Sequence, residues 1–151
     1  MEEVNITTIK SGGRFPYKKL AKYPHMKPED VVVWERFITK NPRFFDTVDY
    51  DVPVGTGAPQ NPEHPENIQR DGTILTQKKI DAIGYINGIT TIVEVGPIAD
   101  MRKFGQIMTY DKLYKADRPE QTPILKMIVC REVEREMEKM FQEFNILIEI
   151  A

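Results

Sequence analysis

Cysteine is nearly missing from this 151-residue chain, which has Cys130 alone. A disulfide framework is excluded, and so is a zinc site built on paired thiols. Cys130 sits in the apolar run Ile128-Val129-Cys130 and reads as a buried structural thiol. No apolar stretch approaches the ~18 residues that a membrane-crossing helix needs. The N-terminus lacks an apolar signal core, so the expected location is cytoplasmic, with no membrane partner. Acid is missing from one whole segment. Between Val4 and Pro28 there are six bases (Lys10, Arg14, Lys18, Lys19, Lys22 and Lys27) and no acid. The chain has 21 Lys+Arg and 23 Asp+Glu, a net charge of −2, so 15 bases face 23 acids elsewhere and this +6 stretch of the arm is set against −8 in the rest of the chain. Such asymmetry points to a tail that meets nucleic acid, DNA first, or an acidic protein surface.

What is present divides into an arm, residues 1–27, and one domain, residues 28–151. The arm has no hydrophobic period and contains Ser11-Gly12-Gly13, Pro16 and Pro24. Phe15, Tyr17 and Tyr23 lie among its bases, where they would either stack on unpaired bases or anchor the arm in a groove. Pro28, Glu29 and Asp30 suit a first helical turn, and Val31, Trp34, Phe37 and Ile38 continue it until Asn41-Pro42. Phe44 to Val54 alternates as a strand. Residues 55–72, with three Gly and three Pro, predict a long loop. Two strands, Lys78 to Ile86 and Ile89 to Val95, flank Asn87-Gly88, a strong hairpin signal. A helix is expected from Asp100 to Lys115, a buried strand from Pro123 to Cys130, a helix carrying Val133, Met137, Met140, Phe141 and Phe144, and a strand on Ile146, Ile148 and Ile150. The expected fold class is α/β: a central mixed sheet flanked by helices, in the order α-β-β-β-α-β-α-β.

The hairpin predicts a register. With Ile86 facing Ile89, Asp81 stands opposite Glu94 on one face, and Ile80, Ala82, Val93 and Val95 point to the other. Like charges opposed in a sheet destabilise it and call for a counter-ion. Their hard oxygens suit Mg²⁺ or Mn²⁺, the alternative being a merely solvated face. On the next helix Arg102, Gln106 and Tyr110 recur every fourth residue as a polar stripe.

Ile80-Asp81-Ala82, Val93-Glu94-Val95 and Gly105-Gln106-Ile107-Met108-Thr109-Tyr110 together resemble the core motifs of the PD-(D/E)XK nuclease superfamily, in its RecB-like branch. The resemblance runs from about Pro28 to Ala151. It implies a restriction-endonuclease-like core in which Asp81 and Glu94 bind the metal, Gln106 and Tyr110 steady the site and the strand, and Glu35 is a further acid. The chain departs from the pattern where the Glu-x-Lys lysine is expected: Gly96 stands there. That loss implies a degenerate centre unless another base has moved in. By the hairpin register Lys79 lies opposite Gly96 and is the first substitute, with Arg102 and Lys103 next. Lys10, Arg14, Lys18, Lys19, Lys22, Arg102 and Lys103 would meet nucleic acid or a partner. Small proteins of this fold with long basic arms resemble phage products. The alternatives to a degenerate nuclease are therefore a virion assembly protein of head-tail or neck type, working as a homo-oligomer or larger assembly, and an active Mg²⁺-dependent nuclease.

Overall fold

The computed structural model describes residues 12–119 and 123–151. In chain order these form β1 (Phe15–Pro16), α1 (Pro28–Lys40), β2 (Thr47–Val54), α2 (Glu66–Thr76), β3 (Lys78–Ile86) and β4 (Ile89–Val95). There follow β5 (Ile98–Ala99), α3 (Met101–Asp117), β6 (Ile124–Cys130), β7 (Glu132–Val133), a 3₁₀ turn (Arg135–Met137), α4 (Glu138–Glu143) and β8 (Ile146–Ile150). Six strands make the central sheet in the order β1-β2-β3-β4-β6-β8. The first four pair antiparallel, while β6 runs parallel to both β4 and β8. This is the expected mixed sheet flanked by helices. Among the described residues no helix is long and apolar enough to cross a membrane.

Each helix layer follows from its apolar phase. Val33, Trp34, Phe37 and Ile38 bury one face of α1 against Val48, Tyr50, Ala82, Val93, Met127 and Val129. Inside this layer the Trp34 indole N–H donates to the Tyr50 hydroxyl at 2.9 Å. On the opposite face of the sheet Ile107 and Tyr114 of α3 and Phe141 of α4 pack on Ile83, Ile92, Ile128 and Ile146. The Asn87-Gly88 turn has positive φ at both residues, as a type I′ hairpin needs, and the register runs as predicted from Ile86 opposite Ile89 to Ala82 opposite Val93.

Four expectations change. Residues 66–76 form α2 rather than continuing the loop, although none of its residues is buried. Gly72 sits within it, and the Gly and Pro residues of 55–72 are why the segment reads as loop. The helix expected after Cys130 shrinks to the 3₁₀ turn and the six residues of α4, because Glu132 and Val133 pair with β5 instead. The strand expected from Phe44 starts at Thr47, and Phe44 and Phe45 turn inward toward Phe37. The face assignment on β3 also fails: Ile80 lies in the α3 layer, not with Ala82, Val93 and Val95. β2 inverts at the same level, with Val48 and Tyr50 in the α1 layer but Val52 and Val54 in the α3 layer. The pivot is Asp51, whose φ of 53° lies in the left-handed region, and the ladder between β2 and β3 skips the Asp51–Asp81 rung alone. The Asp51 carboxylate pairs with the His25 ring.

The described part of the arm is anchored. β1 adds to the sheet edge beside β2, and Tyr17 and Tyr23 are buried in the α1 layer with Phe15 packed against it. The Tyr17 hydroxyl donates to the Asn41 carbonyl at 2.7 Å, and the Tyr23 hydroxyl to Glu35 Oε2 at 2.8 Å. Of the two uses open to these rings, the structure has the anchor.

Candidate active site

Beyond the Ala82–Val93 rung, β3 and β4 stop pairing through their backbones. The Asp81 N–H donates to Glu94 Oε2 at 3.0 Å, and the Val95 N–H donates to Asp81 Oδ2 at 2.9 Å. Each carboxylate thus fills the place of a ladder carbonyl, and the strands fork around two acids. Glu94 is 2% exposed at its side chain and Asp81 30%. Burial first, then the neighbouring Asp81 charge, pushes the Glu94 carboxyl up to about 8. Burial also raises Asp81, against the opposing pull of Lys103.

The fork opens into a cleft of about 420 Å³. One wall is α3, with Arg102, Lys103, Gln106 and Tyr110, and the other holds Lys27 and Asp30 from the start of α1. The N-cap of α3 is Asp100, whose side chain accepts the Lys103 N–H, and this cap fixes the first turn over the fork. Lys103 then reaches inward. Its ammonium donates to the Val95 carbonyl at 2.9 Å and lies 3.6 Å from Glu94 Oε1 and 3.8 Å from Asp81 Oδ2. A Cβ on Gly96 would come within 2.7 Å of Lys103 Cε. The missing side chain at 96 is what lets the helix lysine pass.

Asp81, Glu94, Gln106, Tyr110, Arg102 and Lys103 therefore meet in one cleft. Burial, then Glu94 and Asp81, raises the Tyr110 phenol, and Gln106 Oε1 is buried with no partner among the described residues. Lys79 also lines the cleft, but its ammonium donates to the Ile74 and Gln77 carbonyls at 3.1 and 3.3 Å. It is tied to the C-terminal end of α2 instead of crossing to Gly96. Glu35 is outside the cleft, accepting the Tyr23 hydroxyl on the far side of α1. α1 brings two acids to the cleft, the exposed Glu29 and the half-buried Asp30, which sequence reasoning misses because acids in a first helical turn read as dipole partners. The signal for Asp30 is phase: it falls four residues before Trp34, on the buried stripe, whereas Glu35 falls off it. Burial raises Asp30, Lys103 lowers it and Asp81 raises it again. Among the arm bases, Arg14 donates its backbone N–H to Asp49 at 2.9 Å, Lys18, Lys19 and Lys22 are exposed away from the fork, and Lys10 lies outside the described residues.

The donor set fits a divalent cation. Two hard carboxylates raised by burial, Glu94 also by the Asp81 charge beside it, gain from an added positive charge, and the fork already draws an ammonium to within 4 Å of both. No group of three or more His, Cys, Asp and Glu gathers as a cage among the described residues. The remaining ligands of such an ion would be water and substrate oxygens.

No family model matches the chain, and no curated protein matches its sequence. Among solved structures the chain is similar to the crystal structure of a repair endonuclease from Pyrococcus abyssi, with 14% identity and a TM-score of 0.48. The match covers 87% of this chain and 49% of that one, so this chain spans about half the length of that protein.

Proposed function

We propose that this domain is a divalent-metal-dependent nuclease whose lysine has moved from the strand to the helix. The observation that supports it is Lys103, threaded through the space above Gly96 to within 4 Å of Asp81 and Glu94. A degenerate centre would lack its cation, and here a cation stands beside both acids, supplied by α3. In this proposal Asp81 and Glu94 hold Mg²⁺ or Mn²⁺, which when bound acidifies a water and offsets charge on the phosphate. Lys103 orients the attacking water and stabilises charge building on the phosphoryl oxygens. The carboxamide of Gln106, with its buried unpaired oxygen, and the Tyr110 hydroxyl position the strand. Arg102, at the exposed rim, neutralises a flanking phosphate. Asp30 adds negative charge on the wall opposite α3 and would accept a hydrogen bond from water in the cleft.

Cleavage of labelled DNA with Mg²⁺ or Mn²⁺ tests this directly. The unaltered chain is expected to cut. Asp81→Asn should abolish cutting, and Lys103→Met should slow it about a hundredfold or more, the scale of losing one charge stabiliser. Gly96→Lys placed in a Lys103→Ala background should restore part of the loss. A folded chain that cuts neither DNA nor RNA with either metal overturns the proposal.

A further inference from the structure

Away from the cleft, the described surface concentrates positive charge along one side of α1. The arm runs antiparallel to this helix: Tyr17 bonds Asn41 at its C-terminal end, Tyr23 bonds Glu35 at its middle, and Lys27 is its N-cap. That course lays Lys18, Lys19 and Lys22 beside a helix whose solvent side bears Arg36 and Lys40, with Arg43 just beyond. Lys19, Arg36 and Lys40 line one shallow groove of about 350 Å³. All six bases are exposed, and none makes an ion pair or a side-chain hydrogen bond within the described residues. The acid in the groove, Glu35, already accepts the Tyr23 hydroxyl. Residues 12–45 carry eight bases and three acids, a local +5 in a chain of net −2. At the far end of the arm Lys27 lines the cleft with Arg102 and Lys103, beside Glu29 and Asp30, so the arm leads from the strip to the site.

We propose that this strip docks the sugar-phosphate backbone of double-stranded DNA, holding the duplex that flanks the strand in the cleft. The inference rests on the nuclease proposal for its direction toward the cleft. Charge complementarity selects a polyanion, since the bases from Lys27 at the N-cap to Arg43 beyond the C-terminus lie along a helix ~20 Å long, while a DNA duplex carries a phosphate every ~1.7 Å of axis. The aromatic rings select the duplex. Grooves for unpaired strands combine bases with exposed rings on which nucleobases stack. Here Tyr17, Tyr23 and Trp34 are buried and Phe15 packs against the same core. The strip offers point charges to phosphates and no platform to a base.

The experiment uses the full chain carrying Asp81→Asn, in EDTA, so that bound DNA stays intact. Fluorescence anisotropy follows a 20-base-pair duplex, a 20-nucleotide single strand and a 6-nucleotide strand short enough for the cleft alone, between 50 and 200 mM salt. Arg36→Glu combined with Lys40→Glu should weaken duplex binding about tenfold at 100 mM salt. It should also reduce the salt slope by about two, at roughly 0.9 for each phosphate no longer neutralised. Binding of the 6-nucleotide strand, weak without metal, should change less than threefold, and the thermal midpoint should hold because both side chains are exposed. Unchanged duplex affinity and slope overturn the proposal. So does an equal loss for the 20-nucleotide strand, or displacement of the duplex by polyglutamate of equal charge, which would favour an acidic protein. Cleavage of the 6-nucleotide strand by the Asp81-intact chain with Mg²⁺ separates the two proposals. Its persistence alongside a neutral charge reversal removes the strip alone, and its absence alongside strip-dependent binding removes the nuclease alone.

Discussion

Glu94 carries the clearest pH consequence at the scale of single residues. Its carboxyl keeps its proton up to about 8 in the fold, against an ordinary 4.5. The folded chain therefore binds more protons than the unfolded one between those values, and the metal-free protein loses stability as pH rises from about 4.5 to about 8. Asp81 and Asp30, also raised, act in the same direction. Thermal melts in EDTA should show a lower midpoint at pH 8.5 than at pH 5. In Glu94→Gln the gap should narrow and the midpoint at pH 8.5 should rise by about 3–6 °C, the yield of roughly 1–2 kcal/mol in a chain of this size. A gap that does not narrow would mean Glu94 ionises normally. Adding Mg²⁺ near pH 7 should release protons, seen as buffer-dependent heats in titration calorimetry. Gly96→Ala puts a methyl into the path of Lys103 and should lower activity more than stability, since a flexible lysine can swing away.

Among the elements, the arm behaves as core despite its composition. Tyr17→Ala and Tyr23→Ala should each destabilise the chain by about 3 kcal/mol in urea melts, as buried aromatics do. Lys18→Ala, one residue from Tyr17, should change almost nothing. Gly105 tests α3 in the other direction, being exposed in mid-helix with open space where a Cβ would stand. Gly105→Ala should stabilise by about 0.5–1 kcal/mol. The β3–β4 hairpin is legible in sequence because Asn87-Gly88 dictates both turn type and register. α1 is legible because its apolar residues keep one phase, and α3 because Phe104 and Met108 repeat at helical spacing before the stop at Pro119. α2 is not: Ile68, Ile74 and Leu75 are its apolar residues, none of them is buried, and Gly72 with the prolines before it makes the segment read as loop. The site is half legible. Asp81, Glu94, Gln106 and Tyr110 follow from short-range spacing, whereas Lys103 in place of Lys79 depends on the Asp100 cap and on how α3 lies over the fork. Asp30 emerges only when the phase of α1 is read as burial, not as dipole.

The whole molecule separates its charges in space. Acids concentrate where the strands fork, and bases along the outer edge of α1, so net charge near neutrality conceals two opposed fields. Long-range attraction to nucleic acid should come from the basic side and be strongly salt-dependent, while the acidic fork should repel phosphate until a divalent cation is bound. Magnesium is accordingly expected to strengthen binding of the 6-nucleotide strand to the slow variant Lys103→Met more than it strengthens duplex binding. Equal enhancement for both would argue against a fork that gates phosphate entry. This division is legible in outline, because the acid-free stretch from Val4 to Pro28 is visible in sequence. The contributions of Arg36 and Lys40 are not, since only the antiparallel course of the arm brings them beside Lys19.

The inversion of faces at the Asp51–Asp81 rung limits how the chain can change in length. β2 and β3 exchange layers at one level, so deleting a residue on either side of Asp51 would send Val52 and Val54, or Val48 and Tyr50, into the wrong layer. A compensating deletion in β3 would restore the pairing only by moving Asp81 away from Glu94. The segment 55–65, which joins no layer, carries no such penalty. Insertions and deletions among relatives of this chain should therefore accumulate between β2 and α2, and both strands should keep a constant count of residues from the inversion to their ends.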